Sequence, residues 1–215
     1  MSQIPPDPSS PRISSLSLAG KRTVDIVFSL LAMALLALPL AVIAVAILLD
    51  TGRPVLFRQE RLGKDLRVFK MLKFRTMVVG AQDTGTGLFS YHDDPRVTGT
   101  GRLLRLLSLD ELPQLVNIIR GDMSLVGPRP PVVGELGETA EFTAATLRRF
   151  SMRPGVTGLA QATGRNEFSW DTKIILDNQY LDGFARQGLW LDLRIIARTV
   201  VVVLSRKGVV ESESE

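Results

Sequence analysis

One apolar segment near the N-terminus constrains this chain more than any other feature. Residues 26–49 form an uninterrupted run of 24 residues without a charged side chain. As a straight helix this run would be about 36 Å long, enough to cross the roughly 30 Å hydrocarbon core of a bilayer. A soluble core helix of this length normally has a polar face, and this run has none. The sequence therefore predicts membrane insertion. Because no other stretch qualifies, it excludes a multi-pass transporter.

Both flanks of this segment are basic, which a simple membrane span does not explain. Lys21 and Arg22 precede it, and residues 53–75, called the basic belt below, contain eight basic and two acidic residues. Positive charge on both sides contradicts the asymmetry of a single-pass span. Pro39 lies within the segment, where a proline removes a backbone hydrogen bond and kinks a helix. Two interpretations stay open on these residues: a re-entrant helix, and a single-pass anchor with an ordinary proline kink.

The remaining composition is that of a folded domain with a restricted chemistry. Of 215 residues, 45% are apolar and 22% are charged, which supports a packed core. The absence of cysteine, with His92 as the single histidine, excludes disulfide frameworks, thiolate zinc sites, cysteine nucleophiles and histidine-cluster metal sites. The formal net charge is only +4. The basic belt is therefore local, and it indicates an anionic partner such as phosphate, lipid headgroups or nucleic acid.

Composition divides the chain into four parts. Residues 1–20 are rich in proline and serine, and residues 205–215 are polar with three glutamates near their end. The first is predicted to be a disordered tail and the second a polar tail that frays. Residues 21–52 hold the membrane segment, and residues 53–204 form the remaining domain.

Within residues 53–204 the patterns predict a small β-hairpin followed mainly by helices. Residues 55–61 and 67–75 are rich in Val, Leu and Phe and flank a turn at Gly63-Lys64-Asp65. Residues 80–101 are predicted to be a loop. The expected helices cover residues 103–107, 109–120, 138–150, 170–184 and 191–205. Gly121 is expected to end the second of these. The expected fold class is α+β, mainly helical.

The stretch Ser108-Leu109-Asp110-Glu111-Leu112-Pro113-Gln114 is the most informative for chemistry. Ser108 and Glu111 fit the S-x-x-E capping box. That pattern would place Asp110 and Glu111 in the first turn of a helix, where the macrodipole stabilises ionised carboxylates. An ionised Asp can attack phosphorus, and an ionised Glu can hold Mg²⁺. A capped helix start without any chemistry would show the same pattern.

Three further stretches place basic side chains beside rigid or turn-rich backbone. In Ser124-Leu125-Val126-Gly127-Pro128-Arg129-Pro130-Pro131 the prolines fix the backbone around Arg129, which suits bidentate phosphate contact. A proline-rich connector with a solvent-facing Arg is the alternative. Arg153-Pro154-Gly155 repeats the theme, and Lys73-Phe74-Arg75-Thr76-Met77 ends the basic hairpin. The chain has no Walker A sequence and no G-x-S-x-G elbow.

Taken in order along the chain, these stretches resemble the bacterial sugar transferase family, the monotopic phosphoglycosyl transferases that start lipid-linked glycan assembly. The resemblance covers roughly residues 21–204. One departure is Leu106-Leu107, where a polar or basic pair is common. The motifs that carry the resemblance are Lys21-Arg22-x-x-Asp25, Arg58-Gln59-Glu60-Arg61, Lys73-Phe74-Arg75-Thr76-Met77, Asp94-Pro95-Arg96-Val97-Thr98, Ser108–Gln114, Gly121–Pro130, Arg153–Gln161 and Gly164-Arg165-Asn166.

The resemblance implies an enzyme that moves a sugar-1-phosphate from a UDP-sugar to polyprenyl phosphate. Asp110 would be the nucleophile, forming a phosphosugar–aspartyl intermediate and releasing UMP, while Glu111 would hold Mg²⁺. The residues implied to contact substrate are Arg129, Arg153, Arg75, Arg105, Lys73 and Asp177. The resemblance also favours the re-entrant interpretation, with the chain turning back at Pro39. The expected fold is then a re-entrant membrane helix, a small β-hairpin and a helical, membrane-associated catalytic domain.

The implied location is the cytoplasmic face of the inner membrane, in monotopic form. The implied partners are a UDP-sugar, polyprenyl (undecaprenyl) phosphate and membrane lipids, with no nucleic acid. A homo-oligomer stays open, and the sequence names neither the sugar nor the glycan pathway. The short N-terminal tail, with no further apolar segment, is typical of a minimal catalytic form. Two rival functions remain: a basic, membrane-anchored scaffold that binds lipid or protein, and a phosphatase with an aspartyl intermediate.

Overall fold

The structure, a computed structural model that describes residues 13–83, 94–164 and 168–204, is mainly helical with two small β-sheets. The predicted fold class is confirmed at this level. The helices are α1 (Ser15–Leu35), α2 (Ala37–Thr51), α3 (Gly99–Leu106), α4 (Gln114–Arg120), α5 (Ala144–Arg148), α6 (Leu159–Gly164), α7 (Trp170–Gln187) and α8 (Leu189–Leu204). The strands are β1 (Leu56–Leu62), β2 (Val68–Phe74), β3 (Ser124–Val126) and β4 (Gly155–Thr157).

The apolar segment forms two helices rather than one, because the chain bends by 64° between α1 and α2. No single helix in the described part of the chain is long and apolar enough to cross a membrane, whereas this bent pair meets both criteria together. The break lies at Leu36, three residues before Pro39, so the predicted position is corrected. Pro39 lies in the first turn of α2, where a missing N–H removes no helical bond. Its ring would clash with the carbonyl four residues earlier, at Leu35, which is where α1 ends.

Helix α1 begins earlier than expected, which corrects the boundary of the N-terminal tail. Ser14 is its N-cap and accepts a hydrogen bond from the Ser17 N–H at 3.0 Å. Residues 15–20, assigned to the tail by composition, therefore form the first turns of a helix. Residues 1–12 and 205–215 lie outside the described residues.

Buried polar contacts attach the first half of α1 to the rest of the protein. The Nζ of Lys21 lies 2.5 Å from Oδ2 of Asp192 in α8. The carboxylate of Asp25 accepts hydrogen bonds from the Ser124 hydroxyl at 2.7 Å and the Leu125 N–H at 3.0 Å. The motif Lys21-Arg22-x-x-Asp25 thus attaches α1 to α8 and β3.

The predicted hairpin is confirmed, with ends shifted by one residue. Strands β1 and β2 pair antiparallel from Leu56 opposite Phe74 to Leu62 opposite Val68. A short 3₁₀ turn at Lys64–Leu66 joins them.

The later helices follow the predictions in part. Helices α7 and α8 confirm two of them, although Ser205 lies outside the described residues. The expected helix over residues 138–150 is broken into the short α5 with 3₁₀ turns on either side. Helix α3 begins at Gly99, inside the predicted loop, because the Thr98 side chain accepts a hydrogen bond from the Gly101 N–H at 2.9 Å and caps it. The rest of that loop, residues 84–93 with His92, is outside the described ranges.

The stretch that begins at Ser124 and the stretch that begins at Arg153 pair through their strands, β3 and β4, which run parallel. The Gly127 N–H donates to the Thr157 carbonyl at 2.9 Å. A Cβ on Gly155 would lie 2.1 Å from the Gly127 nitrogen, so glycine is required for this approach. The adjoining core is formed by Val126, Met152 and the α7 aromatics Tyr180 and Phe184.

Candidate active site

Four of the eight predicted site residues come together beside the hairpin. Asp110 and Glu111 lie in a 3₁₀ turn, Leu109–Glu111, between α3 and α4. Lys73, near the end of β2, places its Nζ 3.0 Å from Oε1 of Glu111. Arg105, in the last turn of α3, donates from Nε to the Thr76 hydroxyl at 2.9 Å, and its charge acts on Asp110. The result is two carboxylates beside two cations.

The capping box predicted at Ser108 is wrong. Ser108 has a left-handed backbone, with φ of 55°, and its side chain makes no cap hydrogen bond. An N-cap needs an extended backbone, which Ser108 does not have. Helix α4 begins only at Gln114, and it ends at Gly121 as predicted. Asp110 is therefore not in the first turn of an α-helix, and the macrodipole argument does not apply to it.

The electrostatics of Asp110 are set by burial and by its neighbours. Its side chain is only 9% exposed. Burial raises the pKa of Asp110 to about 6, with Lys73 opposing the increase, Glu111 adding to it and Arg105 opposing it. Among the described residues, no side chain forms a hydrogen bond or ion pair with this carboxylate. At neutral pH the group is therefore mostly ionised, and the hydrogen bond that acts on it comes from its own backbone N–H.

Arg75 connects this cluster to the end of the helix pair. Its Nη2 donates to the Thr51 carbonyl at 3.0 Å, the Thr51 hydroxyl at 2.6 Å and the Gly52 carbonyl at 2.8 Å. The residue is buried, and its Nε and Nη1 have no partner among the described residues. Arg75 directly follows β2, the strand that carries Lys73, and thus links the hairpin to the end of α2. Its predicted phosphate contact stays a prediction.

Arg129 and Asp177 meet at a different place, through Arg149. Arg149 is 1% exposed, and its Nε and Nη2 lie 2.9 and 2.6 Å from Oδ2 of Asp177. The same Nη2 donates to the Arg129 carbonyl at 2.6 Å. Burial raises the pKa of Asp177, and the charge of Arg149 opposes this increase. Asp177 is therefore engaged by a buried cation of the protein itself.

Arg153 lies at the end of α4. Its Nε donates to the Gly121 carbonyl at 2.8 Å. Arg22, from α1, binds the neighbouring carbonyls of Ile118 at 2.6 Å and Ile119 at 3.0 Å. Cations favour helix C-termini, so this pair stabilises α4.

A family model described as bacterial sugar transferase matches residues 16–206 of this chain. The chain belongs to the bacterial sugar transferase family. The match includes both carboxylates of the cluster, and it extends over α1 and α2. Family membership thus confirms the resemblance found in the motifs.

Individual relatives agree with this assignment. The chain is 39% identical over 202 residues to the UDP-galactose-lipid carrier transferase of Erwinia amylovora, covering 87% of this chain and 41% of the relative. It is 38% identical over 202 residues to the undecaprenyl-phosphate galactose phosphotransferase of Salmonella typhimurium, covering 87% and 41%. The exopolysaccharide production protein ExoY of Rhizobium meliloti is 37% identical over 203 residues, covering 88% and 87%. The chain thus spans about two fifths of the first two relatives.

Two buried residues near the predicted sites were missed by sequence reasoning. Asn117 is fully buried; its Oδ1 accepts from the Leu72 N–H at 3.0 Å and its Nδ2 donates to the Lys70 carbonyl at 2.9 Å. It thereby fixes α4 against β2, next to Lys73. An amide between apolar residues of a helix was the available signal. Arg149, the second, has no local signal that distinguishes it from Arg148.

The basic belt divides into inward and outward residues. Arg61, Lys73 and Arg75 make internal contacts, Arg61 by donating from Nη1 to the Pro130 carbonyl at 2.8 Å. Those whose side chains are exposed are Arg53, Arg58, Arg67 and Lys70. About half of the belt is thus available to an external anion.

Two carboxylates lie next to each other in the cluster, those of Asp110 and Glu111. No group of three or more acidic or histidine side chains that could hold a metal occurs within residues 13–83, 94–164 and 168–204. Mg²⁺ is usually bound by one or two carboxylates and completed by substrate phosphates and water. An adjacent Asp–Glu pair of oxygen donors fits this mode.

Proposed function

We propose that this chain transfers a sugar-1-phosphate from a UDP-sugar to polyprenyl phosphate, releasing UMP. The observation that carries the proposal is the buried carboxylate of Asp110, which lies beside Lys73 and Arg105 and forms no hydrogen bond or ion pair with another side chain among the described residues. The names of the two relatives quoted first support the substrate classes, since one acts with UDP-galactose and a lipid carrier and the other with undecaprenyl phosphate.

In the first step Asp110 attacks the β-phosphorus of the UDP-sugar. A bond forms between a carboxylate oxygen and phosphorus, the bond from that phosphorus to the bridging oxygen breaks, and UMP leaves with the electron pair. Lys73 and Arg105 support this step because they offset the repulsion between an anionic nucleophile and an anionic diphosphate.

In the second step the polyprenyl phosphate attacks the phosphorus held on Asp110. The new bond joins the lipid phosphate oxygen to that phosphorus, and the bond to the carboxylate breaks, which regenerates Asp110. The product is a polyprenyl diphosphate sugar, the first unit of a lipid-linked glycan. Arg129 and Arg75 are proposed to contact phosphate groups in these steps.

Mg²⁺ fits the donor set of Asp110 and Glu111 and is proposed as the cofactor. Glu111 would hold it, together with the diphosphate of the substrate. Bound there, the ion would neutralise charge on the phosphoryl oxygens. The Lys73–Glu111 contact at 3.0 Å orients the Glu111 carboxylate beside Asp110.

The bent helix pair is proposed to enter and leave the cytoplasmic face of the membrane. Large apolar side chains near the bend are exposed, Leu35 by 81% and Leu38 by 74%. At 1.5 Å per residue and with both arms equally inclined, the 64° bend would carry the apex about 10–15 Å below the ends, less than the roughly 30 Å hydrocarbon core. Both basic flanks would then face the same leaflet, where anionic lipids attract them.

Thiol labelling in intact cells tests this topology, because the chain has no cysteine of its own. Ala19→Cys and Arg53→Cys place exposed thiols before α1 turns apolar and after α2. Both should resist a membrane-impermeant reagent until the cells are permeabilised. Labelling of one position and not the other in intact cells would show that the pair spans the membrane.

A nucleotide-release assay tests the activity and separates the rival functions. The protein in vesicles is incubated with polyprenyl phosphate, Mg²⁺ and each of a series of UDP-sugars. A transferase releases UMP only with the accepted sugar and turns over only when lipid is present. Free phosphate formed without lipid would indicate a phosphatase. If none of the UDP-sugars is consumed, the remaining function is that of a membrane-anchored scaffold.

A further inference from the structure

The loop that carries Arg129 is held almost entirely through its carbonyl groups. Three of its four residues, Pro128, Pro130 and Pro131, have no N–H to donate. Each of the four carbonyls accepts one hydrogen bond from a different group. The donors, in order from Pro128 to Pro131, are the Gly155 N–H at 3.0 Å, Arg149 Nη2 at 2.6 Å, Arg61 Nη1 at 2.8 Å and the Leu62 N–H at 3.0 Å.

Arg149 is the donor that binds the backbone of Arg129 itself. Its guanidinium plane is fixed on three sides. Asp177 accepts from its Nε and Nη2, and the rings of Phe150 and Trp170 lie 5.2 and 5.1 Å from its Cζ. A buried ion pair by itself is weak evidence for stability. The more informative feature is the bond that this rigid group makes to the Arg129 carbonyl.

Arg149 and Arg129 also line one small cleft, walled mainly by prolines and apolar side chains. The Nη1 of Arg149 is buried and has no partner within the described residues. Arg129, by contrast, is only half-buried. The arrangement is a half-buried guanidinium on a backbone whose carbonyl is held by a second, buried guanidinium.

We propose that the Arg149–Asp177 pair is a positioning device that holds the Arg129 loop so that the Arg129 side chain can bind the UDP-sugar. This inference rests on the proposed function, in which Arg129 contacts the nucleotide sugar. Neither Arg149 nor Asp177 takes part in the chemical step. Loss of the pair therefore weakens nucleotide binding and leaves turnover at saturating substrate nearly intact.

Arg149→Lys and Asp177→Asn test the device. Lysine keeps the charge but cannot donate in a planar fork to Asp177 and the Arg129 carbonyl. Each variant should raise KM for the UDP-sugar about tenfold or more with kcat changed less than about threefold. The dissociation constant for UDP, measured by titration calorimetry, should rise by a similar factor. The neighbouring pair Arg148–Asp182 is the matched control: Arg148→Lys and Asp182→Asn should change neither value.

A double-mutant cycle separates positioning from a general loss of stability. In an Arg129→Ala background, Arg149→Lys should produce no further loss of UDP affinity, because its effect passes through Arg129. Full additivity of the two changes would overturn the positioning role. So would an unchanged KM in both Arg149→Lys and Asp177→Asn when Arg129→Ala raises it. If Arg129→Ala itself leaves UDP affinity unchanged, the proposed role of Arg129 fails, and the positioning proposal fails with it.

Absence of transfer by wild type that still binds UDP would contradict the proposed function alone. The cycle could then still be read through UDP affinity. Should Arg149→Lys fail to fold, Asp177→Asn replaces it in the double-mutant cycle with Arg129→Ala, because this variant keeps the buried guanidinium.

Discussion

Asp110 and Asp177 are both buried aspartates beside arginine, and they differ in how their carboxylates are used. Asp177 is fully buried, and its Oδ2 accepts two hydrogen bonds from one guanidinium that is stacked between two rings. Asp110 is 9% exposed, and the charges of Lys73 and Arg105 lower its pKa without a hydrogen bond. No side chain among the described residues bonds to it.

The difference favours Asp110 as the carboxylate that reacts in the proposed mechanism. A nucleophile must reach phosphorus with a free lone pair, and no side chain among the described residues bonds to the Asp110 carboxylate, which only its own backbone N–H contacts. The cations Lys73 and Arg105 favour its ionised form against the cost of burial, so its pKa rises only to about 6. The Oδ2 of Asp177 holds Arg149, and its Oδ1 is buried away from solvent, so an attack by this carboxylate would leave a buried cation unpaired.

The largest expected effect is the loss of turnover in Asp110→Asn. The amide keeps the shape of the carboxylate but cannot attack phosphorus. UMP release should fall by about three orders of magnitude or more, as is common when a covalent nucleophile is removed. Circular dichroism of the variant should match wild type. Turnover near the wild-type rate would show that Asp110 is not the nucleophile.

Glu111→Gln should have the next largest effect, about a hundredfold on kcat at low Mg²⁺, if Glu111 holds the cofactor. The amide is a weaker ligand, so raising the Mg²⁺ concentration should restore part of the rate. The measurement is kcat as a function of Mg²⁺ concentration for wild type and variant. A loss of the same size at every Mg²⁺ concentration would assign Glu111 a role other than metal binding.

Lys73→Gln should raise the pKa of Asp110 above about 6 in Mg²⁺-free protein, because Lys73 is the strongest of the groups that lower it. A higher pKa means that more of the carboxyl is protonated at neutral pH, so the anion is depleted. A carbon NMR titration of the aspartate carboxyl, assigned with Asp110→Asn, measures this. An unchanged or lower pKa would show that Lys73 does not act on Asp110.

Asp177→Asn should have the smallest effect on kcat, less than about threefold, and a large effect on stability. Removing one partner of a buried ion pair typically lowers the free energy of unfolding by about 3–5 kcal/mol. Urea denaturation gives this value. A kcat loss as large as that of Asp110→Asn, in folded protein, would place Asp177 in the chemistry.

Local patterns predicted the elements whose causes are local. The hairpin follows from two apolar runs around a glycine turn, and Gly121 ends α4 because its φ of 96° suits glycine. The capping box predicted at Ser108 was wrong because its backbone conformation depends on more than the local sequence. A serine followed by a glutamate three residues later specifies side-chain chemistry but not the backbone angle, and here the chain turns left-handed between two helices.

The site could be predicted only in part, because its contacts are distant in sequence. Lys73 and Glu111 are 38 residues apart, and Arg149 and Asp177 are 28 apart. The family resemblance supplied the aspartates and Glu111 as candidates, together with Lys73 and Arg105, but not the contacts between them. It did not supply Arg149, the partner of Asp177. Distinguishing the proposed nucleophile from an aspartate that binds a buried arginine required the tertiary contacts of each.

The most direct test of the central claim is the mass of the peptide that contains Asp110. Wild-type protein is given the accepted UDP-sugar and Mg²⁺ without lipid acceptor, quenched and digested. The peptide should gain the mass of a sugar phosphate, with at most about one equivalent of UMP released, and lose it when polyprenyl phosphate is added. An unmodified Asp110 peptide in protein that turns over normally with both substrates would contradict the covalent mechanism and indicate direct transfer between bound substrates.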